Sequence, residues 1–296
     1  MERRNAWLSY TEAEEKELEQ VAKAYRNFLN VGKTERECVT QIIREARAAG
    51  YESLEEKTAK GEKLKAGDKV YTVGMKKIIA LFHIGQDDIS EGMNILGAHI
   101  DSPRIDVKQN PLYESEEFAY LDTHYYGGIK KYQWVTLPLA LHGVVVKKDG
   151  TVITVNVGED KNDPVFCVTD LLIHLAGEQM EKKAAKVIEG EKLDLLIGSM
   201  PLKDEEKDAV KANVLKLLQD QYGMEEEDFI SAELEIVPAG AARELGVDRS
   251  MIMSYGQDDR VCAYTSLAAM LEAKDLVKTA CCLLVDKEEI GRVGAT

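Results

Sequence analysis

A histidine and an aspartate two residues apart, His99 and Asp101, close an apolar run that begins at Asn94. A glycine precedes this run and a proline follows it, which predicts a buried β-strand over residues 94–100. Side chains two apart on a strand point to the same face, so the carboxylate of Asp101 can accept the imidazole N–H that is not used for a metal. The alternative is a structural histidine at the edge of the core, with Asp101 capping the next turn.

Two adjacent glutamates, Glu288 and Glu289, follow a continuous apolar run over residues 279–285. Such a run is typical of a strand that is covered on both faces, and the carboxyl end of such a strand borders the usual ligand crevice of an open α/β sheet. Paired carboxylates there are costly without a positive neighbour. One glutamate can bind a metal while the other takes a proton from the attacking water. The alternative is a solvated loop, because residues 286–289 are also an ordinary charge cluster.

A third acidic pair, Asp258 and Asp259, precedes an apolar stretch over residues 261–271 that predicts a buried helix. Aspartate is a favoured helix N-cap and complements the helix dipole. The simplest interpretation of Asp259 is therefore that it caps this helix. A two-metal site also needs a carboxylate that bridges ions about 3.5–4 Å apart. The start of a rigid helix is a suitable place for such a bridge, so both interpretations stay open for this pair.

Together, three segments resemble signature blocks of the aspartyl aminopeptidase family. They are residues 97–103, 257–260 and 286–291, which read GAHIDSP, QDDR and DKEEIG. Their order and spacing match the family over essentially the whole chain. The resemblance implies a di-zinc exopeptidase with a phosphorylase/hydrolase-like catalytic fold.

The resemblance also implies a role for each candidate residue. His99 would bind one zinc ion, Asp258 would bridge both ions, Glu289 would bind the second ion, Glu288 would be the general base, and Asp101 would orient the histidine. Co²⁺ or Mn²⁺ could replace zinc, and no organic cofactor is expected.

The sequence departs from the family pattern at two places. Asp259 stands where the family has asparagine, which leaves its role open. The family completes each zinc with one more ligand, an aspartate and a histidine, from a C-terminal stretch beyond Thr296. With three of the five ligands present, we expect little or no peptidase activity from the chain as given.

The elements around these blocks predict an α/β catalytic domain, residues 1–105 and 236–296, interrupted by a β-rich domain over residues 106–235. Capping boxes at Thr11 and Thr34 predict two helices near the N-terminus. The insert is predicted to contain short strands at 139–147 and 151–157, a charged helix-prone stretch over 177–228, and a strand at 233–237. In the resembling family the insert is the dimerisation domain of a large tetrahedral homo-oligomer.

His174 lies in an apolar setting within the predicted insert. A satisfied histidine in the core or at an interface is the simplest interpretation. In the resembling family, a histidine in a similar setting reaches the active site of the neighbouring subunit, where it can stabilise an oxyanion or position the peptide. His83, within a predicted strand, is interpreted as structural.

Composition restricts the partners. The net charge of −15 disfavours nucleic acid, and we expect no membrane span and no signal peptide. Five cysteines without a Cys-x-x-Cys pair indicate reduced core thiols and a cytoplasmic protein rather than a thiolate zinc site.

Two functions therefore stay open. The first is a zinc-dependent aminopeptidase that removes N-terminal residues, acidic ones first and neutral ones as the alternative, from peptides. The second is a catalytically inactive, truncated relative that serves as an assembly or binding module.

Overall fold

The computed structural model describes residues 4–292, which form two compact units. Of the described residues, the first unit contains 4–101 and 241–288, and the second contains 102–240 and 289–292. Helices and sheets occur in both units, so the prediction of an α/β fold is confirmed. Within the described residues, no helix is both long enough and apolar enough to span a bilayer.

The helices and strands are numbered in chain order. The helices are α1 (Glu12–Val31), α2 (Glu35–Ala48), α3 (Leu54–Ala59), α4 (Gly177–Met180), α5 (Ala184–Val187), α6 (Ala209–Tyr222) and α7 (Gln257–Glu272). The strands are β1 (Glu52–Ser53), β2 (Lys69–Gly74), β3 (Ile78–His83), β4 (Asn94–His99), β5 (Arg104–Ser115), β6 (Phe118–Tyr126), β7 (Leu139–Val146), β8 (Val152–Val157), β9 (Leu195–Gly198), β10 (Ala232–Pro238), β11 (Arg243–Leu245), β12 (Met251–Met253) and β13 (Ala280–Val285).

The first unit is built on a five-stranded sheet with the order β1-β2-β3-β13-β4. Strands β2 and β3 form an antiparallel hairpin, and β13 runs parallel to β4. Side chains from α1, α2 and α7 pack with the sheet in one apolar core, which includes Phe28, Ile42, Leu81, Leu267 and Leu284. Burial of these side chains, at about 25 cal/mol per Å² of apolar surface, is what holds the helices on the sheet.

Helices α1 and α2 begin where the sequence predicts. The side chains of Thr11 and Thr34 each accept a hydrogen bond from the backbone N–H three residues later, and the carboxylate of the glutamate there accepts one from the backbone N–H of the threonine. Each cap is worth about 1 kcal/mol. Helix α2 ends before Gly50, whose φ of 88° is left-handed and favours glycine.

Strand β4 corrects one expectation. The apolar run predicts a buried strand, but residues 94–97 are exposed and burial begins near the end, at His99. Among the described strands β4 lies at the edge of its sheet, bonded to β13 alone. The apolar pattern of a strand cannot distinguish an edge position from a central one, and for this reason the prediction of burial was wrong.

The second unit is built on a six-stranded antiparallel sheet with the order β8-β7-β10-β5-β6-β9. Its helix α6 packs on β6 and β9. The helix-prone stretch over 177–228 was predicted without a strand, yet it contains β9, which pairs with β6. Leu193 and Leu195 are fully buried. Whether a short apolar run of this kind forms a strand or a helix depends on the elements against which it packs.

Candidate metal centre

The parallel pairing of β4 with β13 places the candidate residues at one edge of the sheet. His99 is the last residue of β4 and lies opposite Val285, the last residue of β13. Because the chain leaves both strands at this edge, Asp101 and Glu288 follow within a few residues of the paired ends. This is the edge at which ligands bind in open α/β sheets.

The imidazole of His99 is nearly buried and has polar neighbours on both nitrogens. Its Nδ1 lies 3.0 Å from the carbonyl oxygen and 3.3 Å from the Oδ1 of Asp101. Its Nε2 lies 3.5 Å from Oδ1 of Asp258 and 3.6 Å from Oε2 of Glu288. With Nδ1 held by Asp101, Nε2 is the nitrogen directed at the two carboxylates and is the one suited to bind a metal.

Asp101 has a second contact that the sequence did not reveal. Its carboxylate is fully buried and accepts a hydrogen bond of 3.3 Å from the backbone N–H of Glu288. The same carboxylate therefore contacts the histidine ring and the backbone of the candidate general base. No local pattern links these two positions, because they are far apart in the sequence.

Asp258 is presented by a distorted helix start. Asp258 (φ −91°, ψ 113°) and Asp259 (φ −109°, ψ 27°) have non-helical backbone angles, so the regular part of α7 begins at Arg260. The peptide bond between the two aspartates is cis. The side chain of Asp258 is 90 % exposed, which leaves its carboxylate accessible to an ion and to solvent.

Three predicted ligands lie together. One ligand atom from each of His99, Asp258 and Glu289 lies within 4.8 Å of the other two. One imidazole nitrogen and two carboxylate oxygens are a donor set that zinc accepts, at about 2.0–2.2 Å from each atom. Two atoms at that distance from one ion are at most about 4 Å apart, so small side-chain rotations would bring all three into coordination. The residues present fit a zinc ion.

The carboxylates around His99 change its pKa. The hydrogen bond with Asp101 and the charges of Asp101 and Glu288 outweigh the effect of burial and raise the pKa of His99 from 6.5 to about 9. The imidazole of the metal-free protein is therefore protonated at neutral pH. A metal ion at Nε2 must displace this proton.

Asp286 is a buried acid that the sequence interpretation missed. The sequence places it in an ordinary charge cluster, for which a solvated loop is one interpretation, but only 2 % of it is exposed and its carboxylate makes no hydrogen bond to any described residue. Burial, with a smaller contribution from the charge of Glu35, raises the pKa of Asp286 to about 6. Its position directly after the apolar run was the available signal, because β13 carries it into the core.

His174 and Asp259 are not among the residues whose ligand atoms come together. His174 lies in an exposed turn of the second unit, which excludes a core position; a position at an interface and a role in a neighbouring active site both stay predictions. Asp259 is half-buried and does not belong to the group of three ligand atoms. His83 is buried in β3, and its pKa is lowered chiefly by burial, in agreement with a structural role.

The fold and the donor set define an α/β protein with a candidate metal centre at the carboxyl edge of its sheet. Comparison with known proteins identifies the family. Residues 28–296 match the family described as aminopeptidase I zinc metalloprotease (M18). A Clostridium acetobutylicum protein, described as probable M18 family aminopeptidase 1, is 61 % identical over 296 residues, which are 100 % of this chain and 64 % of that protein. The chain belongs to the M18 peptidase family.

Two solved structures share this fold. The crystal structure of an M18 aminopeptidase from Thermotoga maritima is 47 % identical, has a TM-score of 0.93, and is matched over 99 % of this chain and 63 % of that chain. A yeast structure described as an mApe1 dodecamer is 20 % identical, with a TM-score of 0.66, and is matched over 93 % of this chain and 62 % of that chain. The chain thus spans less than two thirds of the length of the relatives it matches.

The raised pKa of His99 predicts a pH-dependent metal affinity. Below about pH 9 one proton must leave the imidazole for each ion bound, so the association constant for Zn²⁺ should rise about tenfold per pH unit between pH 6 and 8. Competition with a chelator, corrected for the chelator's own protonation, measures this slope. Asp101→Asn should reduce the slope, because the carboxylate that raises the pKa is removed. An affinity that does not change over this range would contradict the assignment of His99.

Proposed function

We propose that this protein is a zinc-dependent aminopeptidase that removes N-terminal residues from peptides. The observation that carries the proposal is the convergence of His99, Asp258 and Glu289, with Glu288 beside the same imidazole nitrogen. Membership of the M18 family supports the same reaction class. His99 and Asp258 would serve one ion, and Glu289 with the bridging Asp258 would serve the second.

The residues of this chain have separate tasks in that reaction. Bound zinc would polarise the first peptide carbonyl and lower the pKa of a water molecule. The side chain of Glu288 is 62 % exposed, which allows it to take the proton of the attacking water and deliver it to the leaving amine. Asp101 holds His99 through Nδ1 and Glu288 through its backbone, so the base and one ligand keep a fixed separation.

The substrate preference that we propose is for N-terminal acidic residues, with neutral residues as weaker substrates. Its support is the resemblance to aspartyl aminopeptidases in the three signature blocks. The competing function is an inactive assembly or binding module. The two functions are separated by turnover, because both are compatible with metal binding.

Glu288→Gln tests the proposed general base. Because the chain spans about 64 % of the length of its Clostridium relative, the assay uses residues 1–296 joined to the remaining residues of that relative. This fusion should release product fastest from glutamyl and aspartyl substrates. Glu288→Gln should keep its zinc, measured by metal analysis, and lose about 10²–10⁴-fold in kcat, because proton transfer is removed while the ligands stay.

Glu117→Gln is the matched control, since that glutamate lies in the exposed turn between β5 and β6. It should leave kcat unchanged. Normal turnover by Glu288→Gln would show that Glu288 is a surface carboxylate. A fusion that binds zinc and releases no product from any aminoacyl substrate would favour the binding module.

We also propose that the protein works as a homo-oligomer. The second unit carries an exposed apolar loop, defined here as residues 171–175, in which Leu171, Leu172, Ile173 and Leu175 are each more than half exposed. Runs of this kind mark interaction sites, and the yeast structure of the same fold is described as a dodecamer. His174 would be carried by this loop to the active site of a neighbouring subunit, as in the resembling family, to stabilise the oxyanion or position the peptide.

Charges in the exposed apolar loop test the oligomer. The double variant Ile173→Lys and Leu175→Lys should sediment as a smaller species than the unaltered chain at micromolar concentration, because an unpaired charge at an apolar interface is costly. Met200→Lys, at another exposed apolar position of the second unit, is the control and should sediment as the unaltered chain does. A monomeric unaltered chain, or a double variant that stays fully assembled, would contradict the proposal.

The compartment that we propose is the cytoplasm. None of the five cysteines, all of which lie in the described residues, forms a disulfide bond, which is typical of proteins in reducing compartments. Cys38, Cys281 and Cys282 are buried, as expected of core thiols, whereas Cys262 is exposed on α7. The prediction that cysteines serve the core therefore does not extend to Cys262.

A further inference from the structure

We propose that Arg260 is the positioning residue that sets the separation of the metal ligands His99 and Asp258. This inference rests on the metal site of the proposed function. Arg260 lies two residues after Asp258, at the first regular turn of α7, and none of its surface is exposed. It is the largest of the fully buried side chains in the described part of the chain.

The guanidinium of Arg260 joins two segments of the first unit. Its Nε donates a hydrogen bond of 3.1 Å to the carbonyl oxygen of Ile100, the residue that follows His99. Its Nη2 donates one of 2.8 Å to the carbonyl oxygen of Lys33, between α1 and α2. The start of α7 is therefore attached both to the end of β4 and to the helical layer.

The peptide of Ile100 is held from both sides. Its N–H donates a hydrogen bond of 2.8 Å to the carbonyl oxygen of Val285, at the end of β13, while its carbonyl accepts from Arg260. One residue thus links the three segments that carry the site: the end of β4, the end of β13 and the start of α7. This link lies directly beside His99.

Arg260 also restrains the chain before Asp258. Its guanidinium carbon lies 5.5 Å from the centre of the Tyr255 ring, within the range of a cation–π contact. Tyr255 precedes Asp258 by three residues and Arg260 follows it by two. Since Asp258 itself lacks helical backbone angles, this contact across it restricts the position of its carboxylate.

The chemistry of arginine suits this role better than that of lysine. A buried charge is expensive, and a residue that served only to fill the core would be apolar. The planar guanidinium offers five donors in a fixed geometry, whereas the lysine ammonium is a single flexible point of charge. A lysine at this position cannot bond both carbonyl groups in the same arrangement while it faces the ring.

Arg260→Lys, titrated with Co²⁺ alone, tests the proposal. Co²⁺ reports both affinity and coordination geometry, the latter through its visible absorption spectrum. Arg260→Lys should keep the circular dichroism of the unaltered chain, bind Co²⁺ about 10–100-fold more weakly, as is typical when a residue that orients ligands is changed, and show an altered absorption spectrum.

Tyr51→Phe is the matched control for lost stability. Tyr51 is buried, and its hydroxyl donates a hydrogen bond of 3.0 Å to the carbonyl oxygen of Met270, at the other end of α7. This variant should lower the melting temperature and leave the affinity and spectrum of Co²⁺ unchanged. If Arg260 only stabilised α7 as a whole, Co²⁺ binding would instead weaken alike in both variants.

The outcomes separate this inference from the proposed function. An unaltered chain that binds no Co²⁺ overturns both. Normal Co²⁺ affinity and spectrum in Arg260→Lys, or equal losses in Arg260→Lys and Tyr51→Phe, overturn the positioning role alone. If Arg260→Lys does not fold, Tyr255→Leu and Tyr255→Phe decide: weaker binding in the leucine variant alone supports the role, and equal binding in both overturns it.

Discussion

The candidate site depends on one pairing, in which β4 runs parallel beside β13 with His99 opposite Val285. Parallel neighbours end at the same edge of a sheet, so the residues that follow them meet there. A slip of one residue would turn every side chain of β4 to the opposite face and would move the imidazole away from the carboxylates. Asp101, which contacts both the histidine ring and the backbone of Glu288, is fully buried at this same edge.

Negative charge is the second constraint at this edge. Asp101, Asp258 and Glu288 surround one imidazole at 3.3 to 3.6 Å, and like charges held this close are costly unless a positive group neutralises them. In the metal-free protein the proton on His99 supplies part of the positive charge that neutralises these carboxylates. Because the carboxylates stabilise the protonated imidazole, the pKa of His99 is raised. A divalent ion supplies more positive charge than one proton does. The same group of carboxylates therefore favours the binding of a cation.

Much of this arrangement could be predicted from local patterns. The capping boxes at Thr11 and Thr34 predict the helix starts because their interactions lie within four residues. The polar residues at the predicted strand ends indicate the candidate ligands. Features that depend on tertiary contacts could not be predicted from local patterns. The burial of Asp286, the exposure of β4, the pairing of β9 and the contacts of Arg260 all depend on partners distant in the sequence.

Anomalous diffraction at the zinc edge, from crystals of this chain grown with Zn²⁺, tests the central claim most directly. The account predicts a zinc peak about 2 Å from Nε2 of His99 and from a carboxylate oxygen of Asp258 or Glu289, with Nδ1 still directed at Asp101. A zinc peak elsewhere with Nε2 of His99 unbound, or an absence of zinc at this edge of the sheet at saturating Zn²⁺, would contradict the account.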